Sequence, residues 1–304
     1  MNALVGRKVA IVTPHPQTTR THLLGVLNLE ANASHPAGQI AFVDTPGVHR
    51  GRGHLSRALL RSVRTGLEGR DLSLFLADVT RPFGAEDQMA LGLVEGTAPV
   101  FLLLNKLDCL PRRDQVLPII EAYRQRFAFA EILPISALRR QNLDELVRAI
   151  VRYLPEGPLY FPADQTSDQP ERFLIAEIVR EQAMLATRAE VPHTVTVRVE
   201  ADSTRQQRIG LLRVLHAGIY CERPGQKAIL IGQGGEMIRK IGTAARHELE
   251  ALLGTRVMLE LRVLVRADWR DNPRWVATLD FRHDPEPAPE FPPAPPSRGR
   301  SIRS

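Results

Sequence analysis

The chain has 304 residues, 43% of them hydrophobic, which is enough for two cores rather than one. Its two cysteines, Cys109 and Cys221, lie far apart with neither a metal-ligand nor a redox spacing, and no apolar stretch approaches the about 20 residues of a membrane span, which argues against a disulfide framework, a zinc site and a membrane-spanning protein. A net charge of +6 suggests a polyanionic partner but does not locate it: the excess is +4 over residues 1–159, +2 over 160–282 and 0 over 283–304, so a claim of RNA binding has to rest on a motif.

In chain order, Asn2–Val5 reads as the last turn of a helix stopped by Gly6, with no start of that helix in the sequence. Four short apolar runs follow, Ile40–Val43, Leu72–Leu76, Val100–Leu104 and Ile132–Ile135, of the kind expected for strands buried on both faces. Helices are expected over Asp87–Glu95, Gln115–Phe127 and Asn142–Tyr153. This alternation predicts an α/β, doubly wound first domain over residues 1–158.

Leu154–Pro158 and the polar Ala163–Pro170 read as a linker. A second domain, 159–282, opens with a helix over Glu171–Ala189. Strands over His193–Glu200 and Ile209–Cys221 follow, then Ala228–Ile231, a glycine-rich loop, a helix to about Leu253 and a closing strand Val257–Val265. The order is α-β-β-α-α-β. From Asp284 the chain is rich in proline and ends in Arg298, Arg300 and Arg303, so 283–304 is expected to be a disordered or polyproline-like tail.

Three motifs stand at the carboxyl ends of the expected strands, where ligands of open α/β sheets collect. Asp44-Thr45-Pro46-Gly47 offers a carboxylate for Mg²⁺ and a glycine N–H for a terminal phosphate, although it also suits an ordinary turn. Asn105-Lys106-Leu107-Asp108 offers an aspartate able to accept both N1–H and N2–H of guanine, although Asn and Asp are also cap residues. Ser136-Ala137 could bring a backbone N–H to guanine O6. Each motif alone is weak, and the three in order predict a GTP site. In the second domain Gly232-Gln233-Gly234-Gly235 has the G-x-x-G form that lets a backbone approach single-stranded nucleic acid, in the helix–loop–helix context that a KH domain requires. His15, His22, His49 and His54 fall on no common helix face and are expected to be solvated or hydrogen-bonded rather than ligands.

Together with Gln17–Thr21, Glu171–Glu177 and Glu190–His193, these residues resemble the Era family of ribosome-assembly GTPases, from Asn2 to about Phe281. The resemblance implies a Ras-like GTPase domain followed by an α+β type II KH domain. It implies GTP or GDP with Mg²⁺, the 3′ end of 16S ribosomal RNA and the 30S subunit as partners, and no DNA. With no signal-peptide pattern and no membrane span in the sequence, a cytoplasmic protein is expected by default, and peripheral contact at the inner membrane face is a further expectation. The resemblance makes Thr18 the threonine that meets Mg²⁺, with Thr19 the less favoured neighbour, and puts Asp44 behind the metal. Gly47 would report the γ-phosphate, and Thr45 and Pro46 would complete that turn. Asn105, Lys106, Asp108, Ser136 and Ala137 would hold guanine. Ile231, Gly232, Gln233, Gly234, Gly235, Arg239 and Lys240 would meet RNA, Gln233 replacing a lysine common in such loops. Val48 stands where Ras-like proteins carry a water-orienting glutamine, so slow hydrolysis is expected.

The phosphate-loop pattern G-x-x-x-x-G-K-[ST] occurs nowhere in the 304 residues. Poor GTP binding by these residues alone is therefore expected, together with a start that lies too late by roughly 20–30 residues holding the first strand and that loop. A non-catalytic KH adaptor with a degenerate GTPase domain is the competing reading. A GTPase of tRNA modification is disfavoured because those relatives lack this KH domain.

Overall fold

Residues Asn2–Val5 form one helical turn, α1, closed by Gly6 at φ 78°, the left-handed geometry that glycine supplies at a helix end. The structure, a computed structural model, describes residues 1–16, 18–48, 53–96, 98–188, 191–207 and 210–280. Gln17, His49, Ala189, Glu190, Ile209 and the tail from residue 283 lie outside the described residues.

Two strands, β1 Leu23–Leu29 and β2 Gly38–Asp44, pair antiparallel. After α2, Gly53–Gly66, come β3 Ser73–Asp78, α3 Ala85–Val94, β4 Val100–Asn105, α4 Val116–Arg124, β5 Glu131–Pro134 and α5 Leu143–Val151. Strand β4 pairs parallel with β3 on one side and β5 on the other. Its side chains explain the layers: Leu102 and Leu104 pack with Leu91, Val116 and Tyr123 of α3 and α4, whereas Phe101 and Leu103 pack with Leu146, Ala149 and Ile150 of α5. Ile40 of β2 joins the α5 side, so the hairpin shares that core. No strand among the described residues joins β2 to β3, and the sheet is therefore in two parts.

The second domain has the order expected from the sequence: α6 Glu171–Ala186, a short α7 Val191–Thr194, β6 Thr196–Gln207, β7 Gly210–Cys221, α8 Pro224–Ile231, α9 Glu236–Leu253 and β8 Arg256–Val265. Strand β7 is central, antiparallel to β6 and parallel to β8. Val195, Val197, Val199, Ala217, Ile219 and Val263 face Ile178, Ile241, Ala245 and Leu249 of the helices.

Several boundaries differ from the sequence reading. Val191–Thr194 is helical rather than the start of a strand, because it docks as a buried turn in which the Thr194 hydroxyl donates to the Val191 carbonyl. Helix α2, a one-turn 3₁₀ segment Trp269–Asp271 and α10 Pro273–Ala277 were not expected, since their apolar residues find partners only across the chain. The segment read as a linker and the residues before it are fastened along β1 and the start of β2: Val26 N–H donates to Thr166 O (2.9 Å), Asn28 to Ala163 O (2.8 Å), and the Gln39 Oε1 accepts from Tyr160 and Phe161 N–H (3.1 and 3.0 Å).

A joint between the domains gathers around Trp269. This fully buried ring packs with Leu55 and Leu59 of α2 and with Val276 of α10, and its Nε1–H donates to Thr194 O at 2.8 Å. Arg20 lies with its guanidinium 5.3 Å from the ring centroid and donates to Val195 O (2.8 Å) and His193 O (3.2 Å). Asp271 accepts from His54 N–H (3.3 Å), serving the start of α2 from the other domain.

Trp269→Ala is expected to cost about 3–5 kcal/mol in urea unfolding, the usual loss for deleting a buried tryptophan. Trp269→Phe keeps most of the packing and loses one hydrogen bond, so its cost is about 0.5–1.5 kcal/mol. Equal stability of Trp269→Ala and the parent chain would contradict the joint described here.

Candidate guanine nucleotide site and nucleic-acid interface

The strand ends bring the expected base-binding residues together. Asn105 closes β4, and Lys106 beyond it takes a left-handed φ of 67°, which turns the chain into the loop carrying Asp108. Asn105 Oδ1 accepts from Ala137 N–H at 3.0 Å, and the buried Ser136 hydroxyl donates to Asp108 Oδ1 while accepting from Arg139 N–H at 3.0 Å. The loops after β4 and β5 are thereby clasped. Lys106 Nζ pairs at 2.6 Å with Asp78, at the end of β3, an ion pair that lowers the Asp78 pKa against the opposing effect of burial. Sequence reasoning missed Asp78, although it stands at a strand's carboxyl end as Asp44 and Asn105 do.

Asp44 ends β2, and burial pushes its carboxyl up, opposed by the chain's amino terminus, the Thr19 hydroxyl and the Thr45 N–H. The Thr19 hydroxyl donates to Asp44 Oδ2 at 3.3 Å. The Thr18 hydroxyl lies elsewhere, donating to His15 O (2.8 Å) and accepting from the Thr13 hydroxyl (2.6 Å). The structure thus brings Thr19, rather than Thr18, to Asp44. Pro46 is buried and Gly47 exposed, with open space where a Cβ would stand. A partly buried carboxylate beside the Thr19 hydroxyl is a hard-oxygen donor pair of the kind that suits Mg²⁺. The pattern G-x-x-x-x-G-K-[ST] does not occur in the 304 residues, so the backbone cradle that such a loop gives phosphates is not among the groups gathered here.

The segment carrying those threonines is held by the second domain. Arg180 of α6, 1% exposed, donates to Thr18 O at 2.5 Å and pairs with Glu177. Val12 N–H donates to Glu181 Oε1 (2.7 Å), and Lys8 bridges Glu181 and Glu248. Burial, with Arg180 nearby, lowers the Arg20 pKa to about 9. His15 packs edge-on to His193 at 6.2 Å, and His22 Nδ1 lies 3.1 Å from the Ser62 hydroxyl. Among the described residues no group of three or more His, Cys, Asp or Glu could hold a metal ion.

The glycine loop joins α8 to α9. Gly232 takes φ 72°, ψ 172°, and a Cβ there would meet the Met237 backbone nitrogen at 2.8 Å, so this position admits only glycine. Gly234, at φ 56°, has nothing within 4 Å of a Cβ, and Gln233 beside it is exposed. Arg239 is turned back onto the loop, donating to Gly235 O (3.1 Å) and Gly234 O (2.8 Å), so it braces the loop's carbonyls. Lys240 is exposed, and Ile231 is partly buried against the core of the second domain.

Fold and site together define a guanine-nucleotide-type α/β domain joined to a KH domain. Comparison with known proteins agrees: the sequence matches the KH domain family over residues 190–270 and the 50S ribosome-binding GTPase family over 1–106. It is 43% identical to GTPase Era of Heliobacterium modesticaldum over 92% of this chain and 91% of the relative, and 42% identical to GTPase Era of Geobacter metallireducens over 92% of each. The chain belongs to the Era family of GTPases. Among solved structures, Era in complex with MgGDPNP and nucleotides 1506–1542 of 16S ribosomal RNA is similar at TM-score 0.85 and 38% identity, covering 91% of this chain and 92% of that one. A variant of Aquifex aeolicus Era bound to GDP·AlF₄⁻ is similar at TM-score 0.84 with the same identity and coverage.

Proposed function

We propose that this chain is a GTP-responsive switch whose KH domain holds the 3′ end of 16S ribosomal RNA during assembly of the 30S subunit. The observation that carries the reading is the placement of residues 8–16 and 18–20 against both Asp44 and the KH domain. A change at the nucleotide side would move side chains that the RNA-binding domain holds. The Era relative solved with MgGDPNP and 16S ribosomal RNA supports both ligands.

In this reading Asp108 accepts from guanine N1–H and N2–H, and Lys106, tied to Asp78, lays its stem along the base. The Ser136 and Ala137 N–H groups already serve Gln141 O and Asn105 Oδ1, so a contact to guanine O6 falls to Leu138 N–H or requires Asn105 to release Ala137. Thr19 is the better placed metal-side threonine, and Thr18 acts through its carbonyl on Arg180. Val48 has no group to orient water, so hydrolysis is slow. Peripheral membrane contact forms no part of the proposal.

Changing Asp108 to Asn replaces an acceptor facing guanine with a donor, so the preference should move from GTP towards XTP. Binding is weak without a phosphate cradle, and ligand-observed NMR with both nucleotides is the suitable comparison. Retained guanine preference would displace the base from this loop.

Gly234→Asp puts a carboxylate on the face that phosphates approach, at a position with room for it and a φ that Asp tolerates. RNA affinity for the 3′-terminal 16S segment should fall by a few kcal/mol while the unfolding midpoint barely moves. An unchanged gel shift would remove the loop from RNA binding.

A further inference from the structure

Helix α2 follows the Asp44–Gly47 turn and carries a second charged feature that the nucleotide site does not use. Its sequence, Gly53–Gly66, contains Arg57, Arg61 and Arg64 and no acidic residue. At 3.6 residues per turn these three fall within about 60° of one another around the helix, and about 6 and 10 Å apart along it. All three are exposed, and none makes an ion pair among the described residues. The nearest acid in sequence is Glu68, beyond the helix and also exposed.

The opposite face is spoken for. Leu55, Leu59 and Val63 are buried, and Leu55 and Leu59 pack with Trp269 and Val276 of the second domain. Asp271 holds the helix start through His54 N–H, and a Cβ on Gly53 would collide with that carboxylate at 2.4 Å. The arginine ridge is therefore fixed in its outward direction and rides on the same platform as the KH domain. Three guanidinium groups at this spacing complement the phosphates along a nucleic-acid strand, which are all of one sign and closely spaced.

We infer that Arg57, Arg61 and Arg64 form a second, sequence-independent contact for the sugar-phosphate backbone of the RNA that the KH loop reads. This rests on the reading of the chain as an RNA-binding protein. The ridge extends the RNA path from the KH domain onto the helix that follows the Asp44–Gly47 turn, so RNA bears directly on that turn.

The test is binding of an RNA hairpin with a single-stranded 16S 3′ extension, measured by fluorescence anisotropy over a series of salt concentrations. The triple variant Arg57→Gln, Arg61→Gln, Arg64→Gln should bind on the order of tenfold or more weakly at low salt, with the slope of log K against log salt shallower by about 2–3. Its discrimination between the correct and a scrambled extension should be unchanged. A control variant, Arg112→Gln, Arg113→Gln, Arg124→Gln, removes the same charge near α4 and should keep the parent slope. Equal slopes for the triple variant and the parent, or an equal loss in the control, would overturn the ridge while leaving the KH reading standing. Failure of the parent chain to bind the RNA would overturn both. If phosphatidylglycerol vesicles bind the parent and not the triple variant while RNA binding is unaltered, the ridge belongs to a membrane surface and the inference falls.

Discussion

Arg20 is the residue on which the two halves of this molecule depend. A buried guanidinium is costly unless its donors are met, and among the described residues they are met by carbonyls of the second domain and by the face of Trp269 rather than by a carboxylate. The chain that carries Arg20 is thereby committed to the KH domain. One residue earlier, Thr19 touches Asp44, and two residues earlier the Thr18 carbonyl is held by Arg180. Three consecutive residues thus belong to one domain by sequence and to both by contact.

The consequence is that the two ends of the joint cannot move independently. The start of α2 is served by Asp271, the middle of the helix by Trp269 and Val276, and the segment before β1 by Arg180 and Glu181. In the proposed function those are the parts beside the nucleotide's terminal phosphate. In the proposed reading coupling needs no wire through the core, because the elements beside the proposed nucleotide site are themselves the interface.

Much of this was legible in the sequence. The strand-end motifs were found because buried parallel strands are continuous apolar runs and their ends collect ligands, and the KH loop because glycine spacing and helical context agreed. The structure adds what spacing cannot show. Thr18 and Thr19 are chemically identical neighbours, and only the fold says which hydroxyl faces Asp44. Arg180 and Trp269 read as ordinary residues, and Arg20 only as part of the Gln17–Thr21 stretch, since a buried arginine is recognised by its partners and those lie far along the chain. Helix α2 was missed because its apolar face is narrow and is completed by a tryptophan more than two hundred residues later.

The central claim is that RNA held by the KH domain is felt in residues 8–20. Amide hydrogen exchange on the whole chain, with and without the 3′-terminal 16S segment, tests it most directly. The account expects altered protection in two places, over the glycine loop and the start of α9 and over residues 8–20, including the Val12 amide held by Glu181. Changes confined to the glycine loop and its helices, with residues 8–20 exchanging as in the free protein, would contradict it.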